Sequence, residues 1–302
     1  MRSRSSIEVR RCRPLLGTFV EITARGRDER LLTRGIKTGF DAIARVNRLM
    51  SFHDPLSDVS RMNRDAPKGV IVHPWTWQVM KASKQFAEKS LGTFDITVAP
   101  WLTKWNYLPR RHYQFSPAAS SRDIFLRRNY EVFFRRELIV DLGGIAKGFA
   151  VDRAVDALKE NGIGWGIVNA GGDLRTFGPA SQLIHLRHPT DPIRVAGAVR
   201  LRERAMATSG IYFERRKYRG KYVGPLLDGR TGQSERELIS VSVAAAECMA
   251  ADALTKVVFA RRENAAGLLA QYQADALLLE RDGAPSWMFH SSCGTSDGTR
   301  FD

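Results

Sequence analysis

The segment Asp141–Gly148, which reads Asp-Leu-Gly-Gly-Ile-Ala-Lys-Gly, is the first place in this sequence that could carry chemistry. It follows the short apolar run 138–140, which predicts a strand, and precedes a predicted helix over 146–160. Glycines let a backbone approach a ligand, unpaired N–H groups in a first helical turn suit a phosphate, and Lys147 adds a positive charge. The segment has the spacing of neither a Walker loop nor the dinucleotide fingerprint. A tight turn with a solvated lysine and no ligand therefore explains it equally well.

Other polar segments could hold a ligand beside this turn. A second glycine turn, Asn169–Asp173, follows another apolar run and would bring backbone amides and one carboxylate to a strand end. Alone, an ordinary reverse turn explains it equally well. The hydroxyls of Thr208 and Ser209, with the loop 228–232, could bind a polar ligand, although that loop by itself has a common turn composition.

An aspartate on a predicted helix, Asp252, stands among small and apolar residues. A carboxylate is costly to bury in such surroundings unless it meets a cation. Lys256 follows one turn later and could form an ordinary i,i+4 ion pair with it. Metal binding and a structural ion pair both remain open from the spacing.

The elements that must position these residues alternate irregularly between helices and strands. Helical spacing is found at 31–50, 75–90, 146–160 and about 247–260, and strands are expected at 15–24, 195–201, 238–243 and 275–280. Because the strands mix with helices without strict alternation, the pattern favours an α+β fold over a Rossmann sheet.

Composition limits the classes of partner and compartment. The chain has 302 residues, 43% of them hydrophobic, and 47 Lys plus Arg against 32 Asp plus Glu, a formal net charge of +15. This surplus favours anionic partners such as nucleotides, nucleic acid or an acidic membrane surface. The cysteines at 12, 248 and 293 have neither disulfide-framework nor zinc-finger spacing, and neither a secretory signal nor a membrane span is expected. We therefore expect a cytoplasmic protein.

Seven segments in this order resemble the motifs of the ApbE family, the FAD:protein FMN transferases, over about residues 14 to 280. The segments are Leu16–Thr18, Met50–Asn63, Gly92–Pro100, Asp141–Asp152, Asn169–Asp173, Thr208–Gly210 and Ala251–Leu254. The resemblance implies an α+β fold with a T-fold-like core, in which mixed or antiparallel sheets pack with helices. It divides the chain into a basic extension over 1–13, one catalytic domain of one or two lobes over 14–289, and a flexible tail over 290–302.

The resemblance also implies the reaction and the residues that perform it. FMN would move from FAD to a threonine or serine hydroxyl of a target flavoprotein, with AMP released and Mg²⁺ assisting. The residues implied for flavin dinucleotide binding are Leu16, His53, Thr93, Phe94, Asp95, Gly143, Lys147 and Thr208. The implied catalytic residues are Asp228 and Asp252. The implied metal ligands are the carbonyl of Ala146, the carboxylate of Asp252, and Thr255.

The sequence departs from the family pattern at positions that matter for catalysis. Pro225 stands where a histidine is usual, His53 replaces a tyrosine, and Gly229 replaces a proline. Lys256 stands four residues after Asp252, where a threonine is usual, and Thr255 is one position short. A helix rotates about 100° per residue, so Thr255 and Lys256 cannot both face the metal position. An inward Lys256 would place its ammonium where magnesium is expected and neutralise the diphosphate directly.

Two other functions remain open from the sequence. A relative that binds FAD, or hydrolyses it slowly to FMN and AMP, would need the same cleft without a protein acceptor. A basic nucleic-acid-binding module would fit the net charge and the arginine-rich aromatic stretch 110–136. Its positive charges are scattered along the whole chain, however, and no recognised nucleic-acid motif occurs, so nucleic acid is not the expected partner.

Overall fold

An antiparallel sheet, described by a computed structural model, forms the centre of the fold. The structure describes residues 6–188, 191, 193–210, 215–233, 238–280, 285–288 and 299–301. The strands of these residues are β1 (Ile7–Leu15), β2 (Thr18–Gly26), β3 (Val70–Ile71), β4 (Ile124–Leu126), β5 (Glu131–Phe134), β6 (Gly166–Ala170), β7 (Asp173–Phe177), β8 (Gln182–Arg187), β9 (Val195–Leu201), β10 (Ala205–Gly210), β11 (Arg216–Tyr218), β12 (Lys221–Val223), β13 (Leu238–Ala245), β14 (Asp275–Glu280), β15 (Pro285–Met288) and β16 (Thr299–Phe301). Eight of them form the main sheet in the order β1-β2-β6-β7-β10-β13-β14-β15.

Helices cover one face of the main sheet. The α-helices are α1 (Glu29–Met50), α2 (Asp58–Asp65), α3 (Pro74–Lys89), α4 (Ala99–Lys104), α5 (Ala146–Glu160), α6 (Cys248–Arg261) and α7 (Ala266–Gln271), and short 3-10 turns lie at Ala66–Lys68, Ile96–Val98, Ser121–Asp123 and Arg262–Ala265. Helix α5 lies between α1 and α6, and α6 packs on β10 and β13. The apolar spacing of α1 explains its orientation, because Ile36, Phe40 and Ile43 are all buried in the core. No helix of the described ranges is both long and apolar enough to span a bilayer.

The opposite face of the main sheet is covered by a smaller sheet of order β16-β9-β8. A second apolar cluster joins the two sheets, with Leu174 and Met206 from the main sheet and Leu186 and Val199 from the smaller one. The remaining small sheets have the orders β3-β5-β4 and β11-β12. The predicted α+β fold of antiparallel sheets packed against helices is thus confirmed.

Both predicted chain ends contain strands of the fold. The sequence predicts a basic extension over residues 1–13, yet Ile7–Leu15 pairs along its whole length with β2. As an edge strand it needs little apolar character, and its Arg10 pairs across the strands with Glu21. The predicted tail contributes β16, which pairs with β9, and residues 290–298 lie outside the described part of the chain.

The prediction of a strand over 138–140, the segment that leads into the glycine turn, is wrong. These residues have no strand partner, and the side chain of Asn63 takes the place of one. The Asn63 amide nitrogen donates to the Val140 carbonyl over 2.9 Å, and its oxygen accepts from the Val140 N–H over 2.8 Å. Asn63 therefore fixes the segment that leads into Asp141.

We expect Asn63→Ala to destabilise the protein by about 2 to 4 kcal/mol, because it leaves two buried backbone groups without partners. Urea unfolding of the variant and the wild type measures this difference. The exposed Asn264 offers a control, and Asn264→Ala should stay within about 0.5 kcal/mol of the wild type. Equal losses for both variants would contradict a positioning role of Asn63.

Candidate active site

The glycine turn before α5 is ordered by its own backbone and by Asp141. The Asp141 N–H donates to the Ile96 carbonyl over 2.8 Å, and the Asp141 carboxylate accepts from the Gly143 N–H over 3.2 Å. Helix α5 then begins at Ala146, and the residue before it, Ile145, provides no side-chain cap. The Ala146 N–H donates to the Leu142 carbonyl over 2.8 Å, so the backbone of the turn itself caps the start of α5.

The two helix starts of α5 and α6 meet at Gly148. A Cβ atom added at Gly148 would overlap the Cys248 carbonyl oxygen and lie 2.8 Å from the Met249 Cα atom, so only glycine permits this approach. The Gly148 N–H donates to Asp252 Oδ2 over 3.1 Å. This bond brings together two predicted motifs, the turn Asp141–Gly148 and the aspartate of α6.

Asp152 fixes the start of α6, a role that the sequence did not suggest. Its carboxylate accepts from the N–H groups of Cys248, over 3.0 Å, and Met249, over 2.8 Å, and it pairs with Arg175 at 2.7 Å. Burial raises the pKa of Asp152, although Arg175 and these N–H groups oppose the shift. The only available signal was its position at the end of the motif Asp141–Asp152.

Two lysines and two aspartates form a compact charge cluster at this junction. Lys147 Nζ lies 2.5 Å from Asp173 Oδ2, and Lys256 Nζ pairs with Asp252 Oδ1. Burial opposes ionisation of Asp252, but Lys256 and Lys147 outweigh it, so the pKa of Asp252 is lowered. Burial likewise disfavours the charged form of Lys147, yet Asp173 and Asp252 raise its pKa. The predicted Lys147 and Asp252 therefore lie at one ionised site.

The hydroxyls of Thr208 and Ser209 lie on β10 and not on the predicted loop. Successive strand residues face opposite sides of a sheet. Ser209 faces α6, where its Oγ lies 2.8 Å from Thr255 Oγ1, whereas Thr208 Oγ1 lies 2.8 Å from Ser242 Oγ of β13. Of the two hydroxyls that the sequence offered, the structure thus brings that of Ser209 toward α6, whereas the family resemblance implied Thr208.

The segments containing Thr93 and Asp228 lie side by side. The Gly229 N–H donates to the Thr93 carbonyl over 2.9 Å, and Asp228 pairs with Arg230 at 2.5 Å. Burial opposes ionisation of Asp228, but the hydrogen bonds from Arg230 outweigh it and lower the pKa of Asp228. The Asp228 carboxylate therefore accepts its hydrogen bonds from Arg230 in its charged form.

Phe94 links this loop pair to the charge cluster. A Cβ atom added at Gly144 would lie 3.7 Å from the Phe94 ring and 3.5 Å from Lys256 Cε, so both side chains lie against the glycine turn. Asp95 is used locally: it accepts from the Thr97 N–H over 2.8 Å and from the Ser121 hydroxyl over 3.0 Å. Of this predicted segment, Phe94 thus lies against the same glycine as Lys256.

Leu16 and His53 lie on turns next to the two glycine turns. Leu16 and Gly17 both have positive φ, 57° and 72°, in the turn between β1 and β2. The following Thr18 touches the glycine turn before β7, since a Cβ atom added at Gly171 would overlap its Oγ1. His53 is exposed, and its carbonyl accepts from Arg111 over 2.8 Å. Its ring lies near enough to Asp141 to favour the charged carboxylate.

Burial raises the pKa of Asp141 to about 6, against the opposing effects of the Gly143 N–H and His53. A carboxyl whose pKa is higher in the folded than in the unfolded chain stabilises the fold fully at low pH, and this contribution is lost as the pH rises through about 6. Asp141→Asn imitates the neutral form. We therefore expect its free energy of unfolding, relative to the wild type, to rise by about 1 to 2 kcal/mol between about pH 4.5 and about pH 7.5.

Urea unfolding at both pH values measures this change, and comparison with the wild type cancels the other titrating groups. The Asn oxygen can still accept from the Gly143 N–H, so the turn should persist. A difference between variant and wild type that is the same at both pH values would contradict the raised pKa.

The residues predicted as metal ligands do not fit a divalent cation. Asp252 Oδ1 is paired with Lys256, and its Oδ2 accepts from the Gly148 N–H. The Thr255 hydroxyl donates to the Asp252 carbonyl over 2.7 Å and contacts Ser209, so it is directed away from the carboxylate. Ala146 begins α5 and is buried. Within the described ranges, no group of three or more His, Cys, Asp or Glu could hold a metal.

The fold and site define an α+β protein in which two helix starts meet beside a glycine turn and a cluster of two lysines and two aspartates. The model of the ApbE family matches residues 16–278. The chain therefore belongs to the ApbE family.

Curated relatives and solved structures resemble the chain over most of its length. An FAD:protein FMN transferase of Klebsiella pneumoniae (strain 342) is 25% identical over 287 residues, which cover 89% of this chain and 88% of the relative. An FAD:protein FMN transferase of Escherichia coli (strain K12) is 25% identical over 266 residues, and the match covers 79% of this chain and 74% of that relative. The crystal structure of the ApbE protein from Thermotoga maritima MSB8 has a TM-score of 0.81 and 28% identity, covering 93% of this chain and 96% of that one. The flavin transferase ApbE from Vibrio cholerae, at 24% identity, shares the fold with a TM-score of 0.75 and covers 99% of this chain and 97% of that one.

Proposed function

We propose that this protein is an FAD:protein FMN transferase. A threonine or serine hydroxyl of a target flavoprotein attacks the phosphorus of the FMN half of FAD. A new phosphoester bond forms, the bond to the bridging oxygen of the diphosphate breaks, AMP leaves, and the hydroxyl gives up its proton. Membership in the ApbE family and the names of the relatives support this activity.

The observation that carries the proposal is the bond from the Gly148 N–H to Asp252 Oδ2, 3.1 Å long. It joins the glycine turn before α5 to the charge cluster of α6 at one place. Phosphoryl transfer needs positioning and positive charge near the oxygens that gain negative charge. Lys147 and Lys256 lie at this junction and could provide that charge.

The remaining residues take roles that follow from their places. Gly143 and Lys147 would lie near the diphosphate, because a glycine lets the backbone approach a ligand and the lysine adds a positive charge. Phe94 lies against the same turn and could contact the flavin dinucleotide. Thr93, Asp95, Leu16, His53 and Thr208 remain proposed binding residues on the family resemblance. Asp228 remains a proposed catalytic residue, held by Arg230.

Magnesium is the cofactor that the family resemblance implies, but the residues present do not fit it. The ligands that it would need are occupied by Lys256 and Gly148 or directed toward Ser209. We propose the cytoplasm as the compartment, on the absence of a paired spacing among the three cysteines of the sequence.

The proposal is tested by incubating the purified protein with FAD and a candidate acceptor flavoprotein that carries a threonine or serine site. We expect flavin fluorescence on the acceptor in a denaturing gel and a mass increase equal to one FMN, with AMP in the supernatant. Release of FMN and AMP without a labelled acceptor would indicate an FAD hydrolase. Binding of FAD without either product would indicate a flavin-binding relative and would also overturn the transferase proposal.

A further inference from the structure

We propose that the ammonium of Lys256 takes the place of a divalent cation at this site, so that the protein binds FAD without a metal ion. The inference rests on the proposed FAD site and concerns the chemistry that recognises the diphosphate there. It follows from where the Lys256 side chain lies, which the sequence leaves undecided.

The Lys256 side chain is directed into the protein. Its Nζ pairs with Asp252 Oδ1 and donates to the Asp252 carbonyl over 3.0 Å. The side chain is only 15% exposed and that of Asp252 is 0% exposed, whereas the i,i+4 pair of Lys37 and Asp41 on α1 is 70% and 57% exposed. Lys256 is therefore a largely enclosed partner of the buried Asp252 and not a solvated surface bridge.

A divalent ion and this ammonium compete for the same oxygen. A hard cation on Asp252 would need the carboxylate oxygens that Lys256 and the Gly148 N–H now hold. It would also stand close to the positive charges of Lys256 and Lys147, which both act on the Asp252 carboxylate. Binding of the metal would thus require Lys256 to leave.

The helix geometry removes the hydroxyl that could complete a metal site. Thr255 is rotated by about 100° from Lys256 along the helix. Its hydroxyl is buried and lies between the Asp252 carbonyl, at 2.7 Å, and Ser209 Oγ, at 2.8 Å. At the position four residues after Asp252, where the family resemblance implies a threonine oxygen, this chain therefore has the Lys256 ammonium.

Lys256 also lies where a diphosphate would be held. Its Cε would be 3.5 Å from a Cβ atom added at Gly144, in the turn that precedes the start of α5. An ammonium at this place can donate to phosphate oxygens as a charged hydrogen-bond donor. Together with Lys147, it supplies positive charge from two different helices.

The experiment measures the dissociation constant of FAD by fluorescence quenching, once with a chelator and once with magnesium chloride. We expect the wild type to bind FAD with affinities that differ by less than about twofold between these conditions, because the charge is supplied by the protein. Lys256→Met should lose about 10- to 100-fold in affinity with the chelator, the loss expected for one charged hydrogen bond. Lys37→Met, which removes the same charge from an exposed pair, should bind like the wild type.

Lys256→Thr places a hydroxyl oxygen four residues after Asp252, where the family resemblance implies one, and provides the converse test. We expect this variant to bind FAD weakly with the chelator and to regain affinity when magnesium is added. Manganese, followed by electron paramagnetic resonance in the absence of FAD, gives a direct readout: Lys256→Thr should bind the ion more tightly than the wild type. Thermal unfolding of each variant shows whether it is folded.

The outcomes separate this inference from the proposed function. Wild-type protein that binds FAD only with magnesium, with Lys256→Met unchanged, would overturn the inference and leave the transferase proposal standing. If the folded wild type binds FAD in neither condition, the proposed function itself fails. Double replacement of Asp252 by Asn and Lys256 by Met removes both charges, and so keeps the test valid if the single lysine variant does not fold.

Discussion

Asp252→Ala is expected to abolish measurable FMN transfer and to destabilise the protein strongly. The carboxylate is fully buried and holds both the Lys256 ammonium and the Gly148 N–H. Removing it leaves the largely enclosed Lys256 ammonium without its partner, and breaking a buried pair in this way typically costs about 3 to 5 kcal/mol. It also releases the contact between α5 and α6 that positions the glycine turn. We expect transfer to fall by at least about 100-fold, since misplacement of a bound group by about 1 Å has that effect.

Transfer to the acceptor and urea unfolding, measured on the same preparation, check this expectation. Asp252→Asn keeps an oxygen that can accept from Gly148 but removes the charge, so it should lose less stability than the alanine variant. Asp41→Ala breaks the exposed pair with Lys37 and should change stability by less than about 1 kcal/mol. An alanine variant with nearly wild-type transfer would rule out Asp252 as part of the site.

Gly148→Ala is expected to produce the second large effect although it adds only one methyl group. The added Cβ would overlap the Cys248 carbonyl oxygen and lie 2.6 Å from its carbonyl carbon, and both are backbone atoms that cannot rotate away. The helices must therefore move apart, and the bond from Gly148 to Asp252 lengthens or breaks. Overpacking of this kind costs about 1 to 3 kcal/mol or more.

We expect Gly148→Ala to lose stability in thermal or urea unfolding and also to lose FAD affinity, because both depend on the same helix contact. Gly267 of α7 is the matched control, since a Cβ atom added there meets no atom within 4 Å. In a helix, alanine is favoured over glycine by about 1 kcal/mol, so Gly267→Ala should be neutral or slightly stabilising. Similar behaviour of the two variants would show that the contact between α5 and α6 is loose.

Local sequence patterns were sufficient for the longer helices and for several strands. The predicted helix over 146–160 and the predicted strands over 195–201 and 275–280 agree with the ranges of α5, β9 and β14. Apolar spacing, glycines and capping positions act over a few neighbouring residues, so one sequence contains the information. The rotation of a helix likewise predicted that Thr255 and Lys256 point in different directions.

Sequence patterns gave wrong predictions where the hydrogen-bond partner of a backbone segment lies far away in the sequence. The run 138–140 looked like a strand, but its partner is the Asn63 side chain, 77 residues from Val140. Residues 1–13 were predicted as a basic extension, although cross-strand bonds place 7–13 in the sheet. Thr208 and Ser209 looked like loop residues, and strand pairing decides that Ser209 faces α6.

The sequence by itself therefore determined the longer helices, several strands, the glycine turns and the presence of a lysine one turn after Asp252. Tertiary structure alone decided that Gly148 is the point where α5 meets α6, that Asp152 caps α6 across 96 residues, and that Lys256 is directed inward. The physical reason is that propensity and periodicity act locally, whereas these contacts depend on how two helices pack over one sheet.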